Sequence, residues 1–131
     1  DGEMKPRLCK AGVALREWVN EQYPNRDKRS DGWIGDPAHR TRISDHNPDP
    51  VTGVVRAIDI DADLRANRPD ESARLAEILR QEAKQGLRPI SYIIHQAKIC
   101  SAKTRWAWKP YDGVNLHYHH LHVSFKKVRG E

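Results

Sequence analysis

His117-Tyr118-His119-His120-Leu121-His122-Val123-Ser124 holds four of the seven histidines in the chain. Side chains of a strand alternate between its two faces. Read as a strand from Leu121 to Phe125, the segment sends Leu121, Val123 and Phe125 to one apolar face. His120, His122 and Ser124 fall on the other. Two imidazoles two residues apart on one face can serve one small site. The run is interrupted and embedded in a strand pattern, which separates it from a histidine tag.

A second segment, Ala57-Ile58-Asp59-Ile60-Asp61-Ala62-Asp63, shows the same alternation. Val54 to Ile60 reads as a strand in which Ile58 and Ile60 enter the core, while Asp59 and Asp61 line the opposite face. Acidic residues form strands poorly, so their presence asks for a reason. A third segment, Arg42-Ile43-Ser44-Asp45-His46-Asn47-Pro48-Asp49, supplies a histidine in a loop that Pro48 and Pro50 stiffen.

Around these segments the pattern is helical and mixed. Lys10 to Tyr23 carries Ala11, Leu15, Trp18, Val19 and Gln22 at helical spacing and ends before Pro24. Pro69 to Gln85 reads as a second helix, with Asp70 and Glu71 in its first turn, Gly86 after its end, and a core face of Leu75, Ile78, Leu79 and Ala83. Ile90 to Ile94 is a short strand, and Arg105 to Lys109 a candidate for another. Asn25 to Pro50 is long, polar and without period, which in a compact domain points to function or disorder. Helices with short non-repeating strands predict an α+β fold with an antiparallel sheet.

The 131 residues suit one domain, 1–131. No stretch approaches the ~20 apolar residues of a membrane helix, and no basic start with an apolar run marks a signal peptide. A net charge of +5 favours polyanionic partners such as nucleic acid, anionic membrane or cell-wall polymers. The basic clusters Arg26–Arg29 and Lys126–Arg129 read as solvated surface. Cys9 and Cys100 form no C-x-x-C pair; buried free thiols are expected, with one disulfide as the alternative.

Together the three segments offer His46, Asp59 and His122 as metal ligands. Zinc takes N and O donors, and a catalytic zinc keeps three protein ligands and one position for water. A base must still take the proton and hand it to the leaving group. His120 is the first candidate and His119 the second. Arg42 or Arg40 is a candidate to stabilise a developing oxyanion. Asp45 and Asp61 are candidates to orient a ligand histidine, and His39 to make an outer hydrogen bond. His95 reads as a core or surface histidine. Trp106, Trp108 and Tyr111 serve either a substrate groove or the core.

Ser44-Asp45-His46, Gly53, Ala57-Ile58-Asp59 and His120-Leu121-His122 resemble the M15-type zinc peptidases, the D-alanyl-D-alanine carboxypeptidases and LAS-type peptidoglycan peptidases of the Hedgehog-like DD-peptidase fold. The run from Asp31 to Asp36 leading into Ser44–Asp49, and the Trp106 to Phe125 end, look like the peptidase domains of mycobacteriophage-type endolysins. The resemblance spans roughly Leu8 to Phe125. It implies zinc on His46, Asp59 and His122, His120 beside the metal water, and Arg42 on the substrate or its oxyanion. It implies hydrolysis of the peptide stem or cross-bridge of peptidoglycan, by an endopeptidase more than a carboxypeptidase, since His119 stands where carboxypeptidases often carry a glutamate. It further implies a monomer that binds neither nucleic acid nor membrane, made in a host cytoplasm without a signal peptide, acting on the wall after release, and allows a longer endolysin around the domain. Thirteen positions separate His46 from Asp59, more than the family's usual spacing, so Asn47 to Thr52 must loop out, and Asp49 and Asp61 stand as alternative ligands. The rivals are a metal-dependent nuclease and a zinc-containing cell-wall binding module without activity.

Overall fold

The computed structural model describes residues 5–34 and 44–131, so Arg40, Arg42 and His39 lie outside the described residues. Chain order is β1 (Arg7–Leu8), α1 (Lys10–Gln22), β2 (Val54–Val55), β3 (Ala57–Asp61), α2 (Glu71–Lys84), β4 (Ile90–His95), β5 (Lys98–Ser101), a 3-10 turn (Ala102–Thr104), β6 (Lys109–Pro110) and β7 (His120–Phe125). The fold is α+β: two helices, a five-stranded antiparallel sheet of order β3-β7-β4-β5-β6, and a small parallel pair, β1-β2.

The alternation read from the sequence builds the central pair. In β3 and β7, Ile58, Ile60, Leu121, Val123 and Phe125 are buried in the core. They meet Leu15 and Val19 of α1 and Leu75, Ala76, Leu79 and Ala83 of α2. Each fully buried aliphatic side chain contributes on the order of 2 kcal/mol. Two expected core positions differ. Ile78 is half-buried at the edge of α2, its place in the core taken by Ala76. Gln22 is exposed, while Val19 and Tyr23 beside it enter the core.

Three further expectations are corrected. Val54 to Ile60 is two strands, broken at Arg56, where the chain leaves the β1 pair for the main sheet: the Arg56 N–H goes to the Asp45 carbonyl and its carbonyl accepts from Phe125. Arg105 to Lys109 is no strand; Arg105 and Trp106 take φ of 53° and 63°, which turns the chain, and only Lys109 and Pro110 pair with β5. Arg26 is no solvated surface residue. Its side chain is 1% exposed and its guanidinium grips Asp31 through two bonds of 2.8 and 2.6 Å. Arg29 and Lys126–Arg129 do face solvent. Cys9 and Cys100 are buried free thiols, and burial pushes Cys100 up to about 12.

Helix α2 ends in a Schellman motif. Gly86 N–H donates to the Ala83 carbonyl at 3.1 Å and Leu87 N–H to the Glu82 carbonyl at 2.9 Å, with Gly86 at φ 75°. A Cβ built on Gly86 meets nothing within 4 Å. The position therefore demands glycine for its backbone alone. Gly86→Ala is expected to cost about 1 kcal/mol, and Gly86→Asn less, since asparagine tolerates the left-handed region. Thermal unfolding of the two variants checks this; equal midpoints for Ala and wild type would contradict it.

Candidate metal centre

The register of β3 against β7 sets Asp59 opposite His122 and Asp61 opposite His120. Strand period then aims Asp59, His120 and His122 to the same side of the sheet, away from the isoleucines. His122 Nδ1 lies 3.0 Å from Asp59 Oδ1, and His120 Nε2 lies 3.6 Å from Asp59 Oδ2. The third segment arrives from outside the sheet: His46 Nε2 stands 3.3 Å from Asp59 Oδ2. A local turn holds His46 there, its N–H on Ser44 Oγ at 3.2 Å and the Asn47 N–H on the Ser44 carbonyl at 3.1 Å.

The polar stretch before it works as a scaffold. Asp31, clamped by Arg26, accepts the Asp61 N–H at 2.7 Å. Gly32 exchanges both backbone hydrogen bonds with Asp59, at 3.1 and 2.7 Å. This pins the next residue, Trp33, whose carbonyl lies 2.9 Å from His46 Nδ1. A carbonyl only accepts, so Nδ1 carries the proton. In the neutral ring, Nε2 is then a bare lone pair facing a carboxylate oxygen. Two acceptors so placed call for a cation, either a second proton on the ring or a metal ion. Burial works to lower the His46 pKa, but the neighbouring Asp59 outweighs it and the net shift is upward. Burial likewise works to raise the Asp59 pKa, yet the hydrogen bonds and charges of His122 and His46 hold it far below the usual carboxylate range.

His122 is held in the same manner. Its Nε2 pairs with Ser124 Oγ at 2.8 Å, and its ring stacks on Tyr92 with centroids 5.5 Å apart and planes 17° from parallel. Burial pushes the Tyr92 phenol up to about 12, so it stays protonated. The donor atoms of His46, Asp59 and His122 all lie within 4.8 Å of one another, a group that could hold a metal ion. Bonds near 2.0 Å in a tetrahedron put ligand atoms roughly 3.3 Å apart, close to the 3.0 and 3.3 Å found here. The side chains of His46 and Asp59 are 18% and 19% exposed, so solvent reaches the cluster.

The other candidates sort clearly. His120 joins the cluster, and burial lowers its pKa against the pull of Asp59. His119 does not: it is exposed, and lines a separate groove with Asp27, Arg29 and Tyr118. Asp49 closes the inserted turn, accepting from Val51 N–H, Thr52 N–H and Arg56. Those bonds, Val51 first, hold it at about 2. Asp61 accepts the N–H of Ser30 and Asp63, both at 2.8 Å. Neither therefore replaces Asp59, and Asp61 orients backbone instead of a histidine. Asp45 acts on His46 through its charge. His95 is buried against Ser72 Oγ at 3.0 Å. Trp106 belongs to the core and Trp108 packs on it, whereas Tyr111 sets its ring edge-on to His117 at 5.8 Å.

Three contributors were not singled out from sequence: Trp33 through its carbonyl, Tyr92 and His117. His117 is 8% exposed and lies edge-on to His120 at 4.8 Å and to His122 at 5.4 Å. Burial, then the neighbouring His122 and His120, lower its pKa to about 4. Its position before the strand gave no periodic signal; its membership in the histidine run was the sole hint.

Asp59→Asn keeps the shape but removes the charge, and is expected to abolish binding of divalent ions in equilibrium dialysis with the far-UV spectrum retained. Ser124→Ala frees the His122 ring and is expected to weaken binding by about tenfold or more. Unchanged affinity in both variants would remove the case for this centre. Comparison of the chain with protein-family models, with curated proteins and with solved structures finds no match, so the centre is read from its own geometry.

Proposed function

We propose that the chain is a zinc-dependent peptidase acting on the peptide part of bacterial peptidoglycan, in a Hedgehog/DD-peptidase-like fold. The observation that carries this reading is the convergence of His46, Asp59 and His122 with His120 beside them and solvent access left. Two imidazoles and one carboxylate are the donor set of a hydrolytic zinc site. When bound, zinc would supply Lewis acidity toward water and the scissile carbonyl. The choice of substrate rests on the order of motifs, Ser44-x-His46, Ala57-x-Asp59 and His120-x-His122, which resembles the peptidoglycan peptidases.

The chain's own groups divide the work as follows. Asp59 sets the charge of the centre and lies against three imidazoles. The Trp33 carbonyl and Ser124 Oγ fix which nitrogen of His46 and of His122 faces inward. His120 Nε2, depressed in basicity by burial and so neutral near pH 7, accepts the proton lost by the attacking water and returns it to the leaving amine. The oxyanion role of Arg42 belongs to the same proposal.

Purified cell walls incubated with the protein and zinc should release peptides detectable by mass spectrometry, and a chelator should stop the release. His120→Ala should lower the rate by about 100-fold or more while keeping the ion held by His46, Asp59 and His122. Cleavage of plasmid DNA without peptide release would favour a nuclease. Binding to walls with no hydrolysis of any muropeptide would favour a binding module.

A further inference from the structure

We propose that Asp59 also serves a second divalent cation, held by His117 and His120, and that this ion inhibits the enzyme. Donor atoms of Asp59, His117 and His120 lie within 4.8 Å of one another, a group distinct from His46, Asp59 and His122 except for the shared carboxylate. The two carboxylate oxygens are divided: Oδ1 faces His122, while Oδ2 faces both His46 and His120.

His117 supplies the independent observation. It is 8% exposed, and its Nδ1 has no hydrogen-bond partner among the described residues. A buried polar atom without a partner costs about 1–3 kcal/mol. Its backbone sits at φ 59°, a region that a side chain other than glycine enters at a cost. His95 is equally buried and likewise leaves its Nδ1 without a partner among the described residues, but its Nε2 is taken by Ser72 Oγ at 3.0 Å and it stands in no group that could hold an ion. A cation held between His117 and His120 supplies a partner for the bare nitrogen.

The two groups differ in preparation. Both histidines of the first have their other nitrogen held, by the Trp33 carbonyl and by Ser124 Oγ. The second must share a carboxylate already engaged by His46 and His122. The first ion therefore binds more tightly, and the second follows at higher concentration. Once His120 holds an ion it has no lone pair for a proton. The inhibitory part rests on the peptidase reading above; the second site itself does not.

Equilibrium dialysis of the full chain against zinc, repeated with cobalt for its visible spectrum, tests the site. Wild type should take up two ions, the second about tenfold or more weaker. His117→Ala and His117→Asn should each take up one; the asparagine variant keeps a residue that accepts the left-handed backbone. His119→Ala, which removes an exposed imidazole, should still take up two. Peptide release by wild type should rise with the first equivalent of zinc and fall as the second binds. One ion per wild-type chain at millimolar metal overturns the second site, whatever the activity. Two ions with undiminished hydrolysis overturn the inhibition. Two ions with no hydrolysis at any zinc level leave the second site standing and remove the peptidase reading instead.

Discussion

The pairing of Asp59 with His122 across β3 and β7 is the constraint on which the molecule turns. In a strand, a slip of one residue exchanges the two faces. Here that slip would carry Ile58, Ile60, Leu121 and Val123 out of the core as it carried the carboxylate and imidazole into it. The apolar and polar faces thus enforce one another. Hydrophobic burial, worth on the order of 2 kcal/mol for each of these side chains, selects the register, and the register delivers the metal-binding chemistry. No loop has to search for that geometry.

His46 reaches the centre by a different route. A loop histidine has no register to fix it, so it depends on a relay of polar contacts. The buried Arg26–Asp31 pair anchors the loop to β3, the Gly32–Asp59 bridge extends the anchor, and Trp33 offers its carbonyl to the ring. Removing one partner of a buried ion pair leaves an uncompensated charge at a cost of several kcal/mol. The arginine, far from any chemistry, therefore bears on how well the site is formed. Its place among basic neighbours in the sequence disguised this.

What was legible in the sequence was whatever repeats with a period. Alternation in 57–61 and 121–125 gave the central strands, their buried faces and their site-facing residues; helical spacing gave α1 and α2. What was not legible lacks a period. Strand β1 is two residues long and exists because Val54 and Val55 offer it a partner. The β4–β5 hairpin turns on Gln96 and Ala97 at φ 49° and 62°, without the Asn-Gly or Gly signal that such turns usually show, so β5 was missed. Trp33 contributes a backbone atom, which no residue type announces. His119 and His117 exchange their expected weights because the segment before β7 is irregular, and strand parity does not extend into it.

The far side of the sheet ends on β6, only Lys109 and Pro110, both exposed. An open antiparallel sheet is a template on which a neighbouring molecule can add a strand. At this rim proline has no N–H to give, and the lysine would have to shed its hydration shell. Accretion of copies along that rim is therefore blocked at its first bond, and the protein can be concentrated without seeding fibres there.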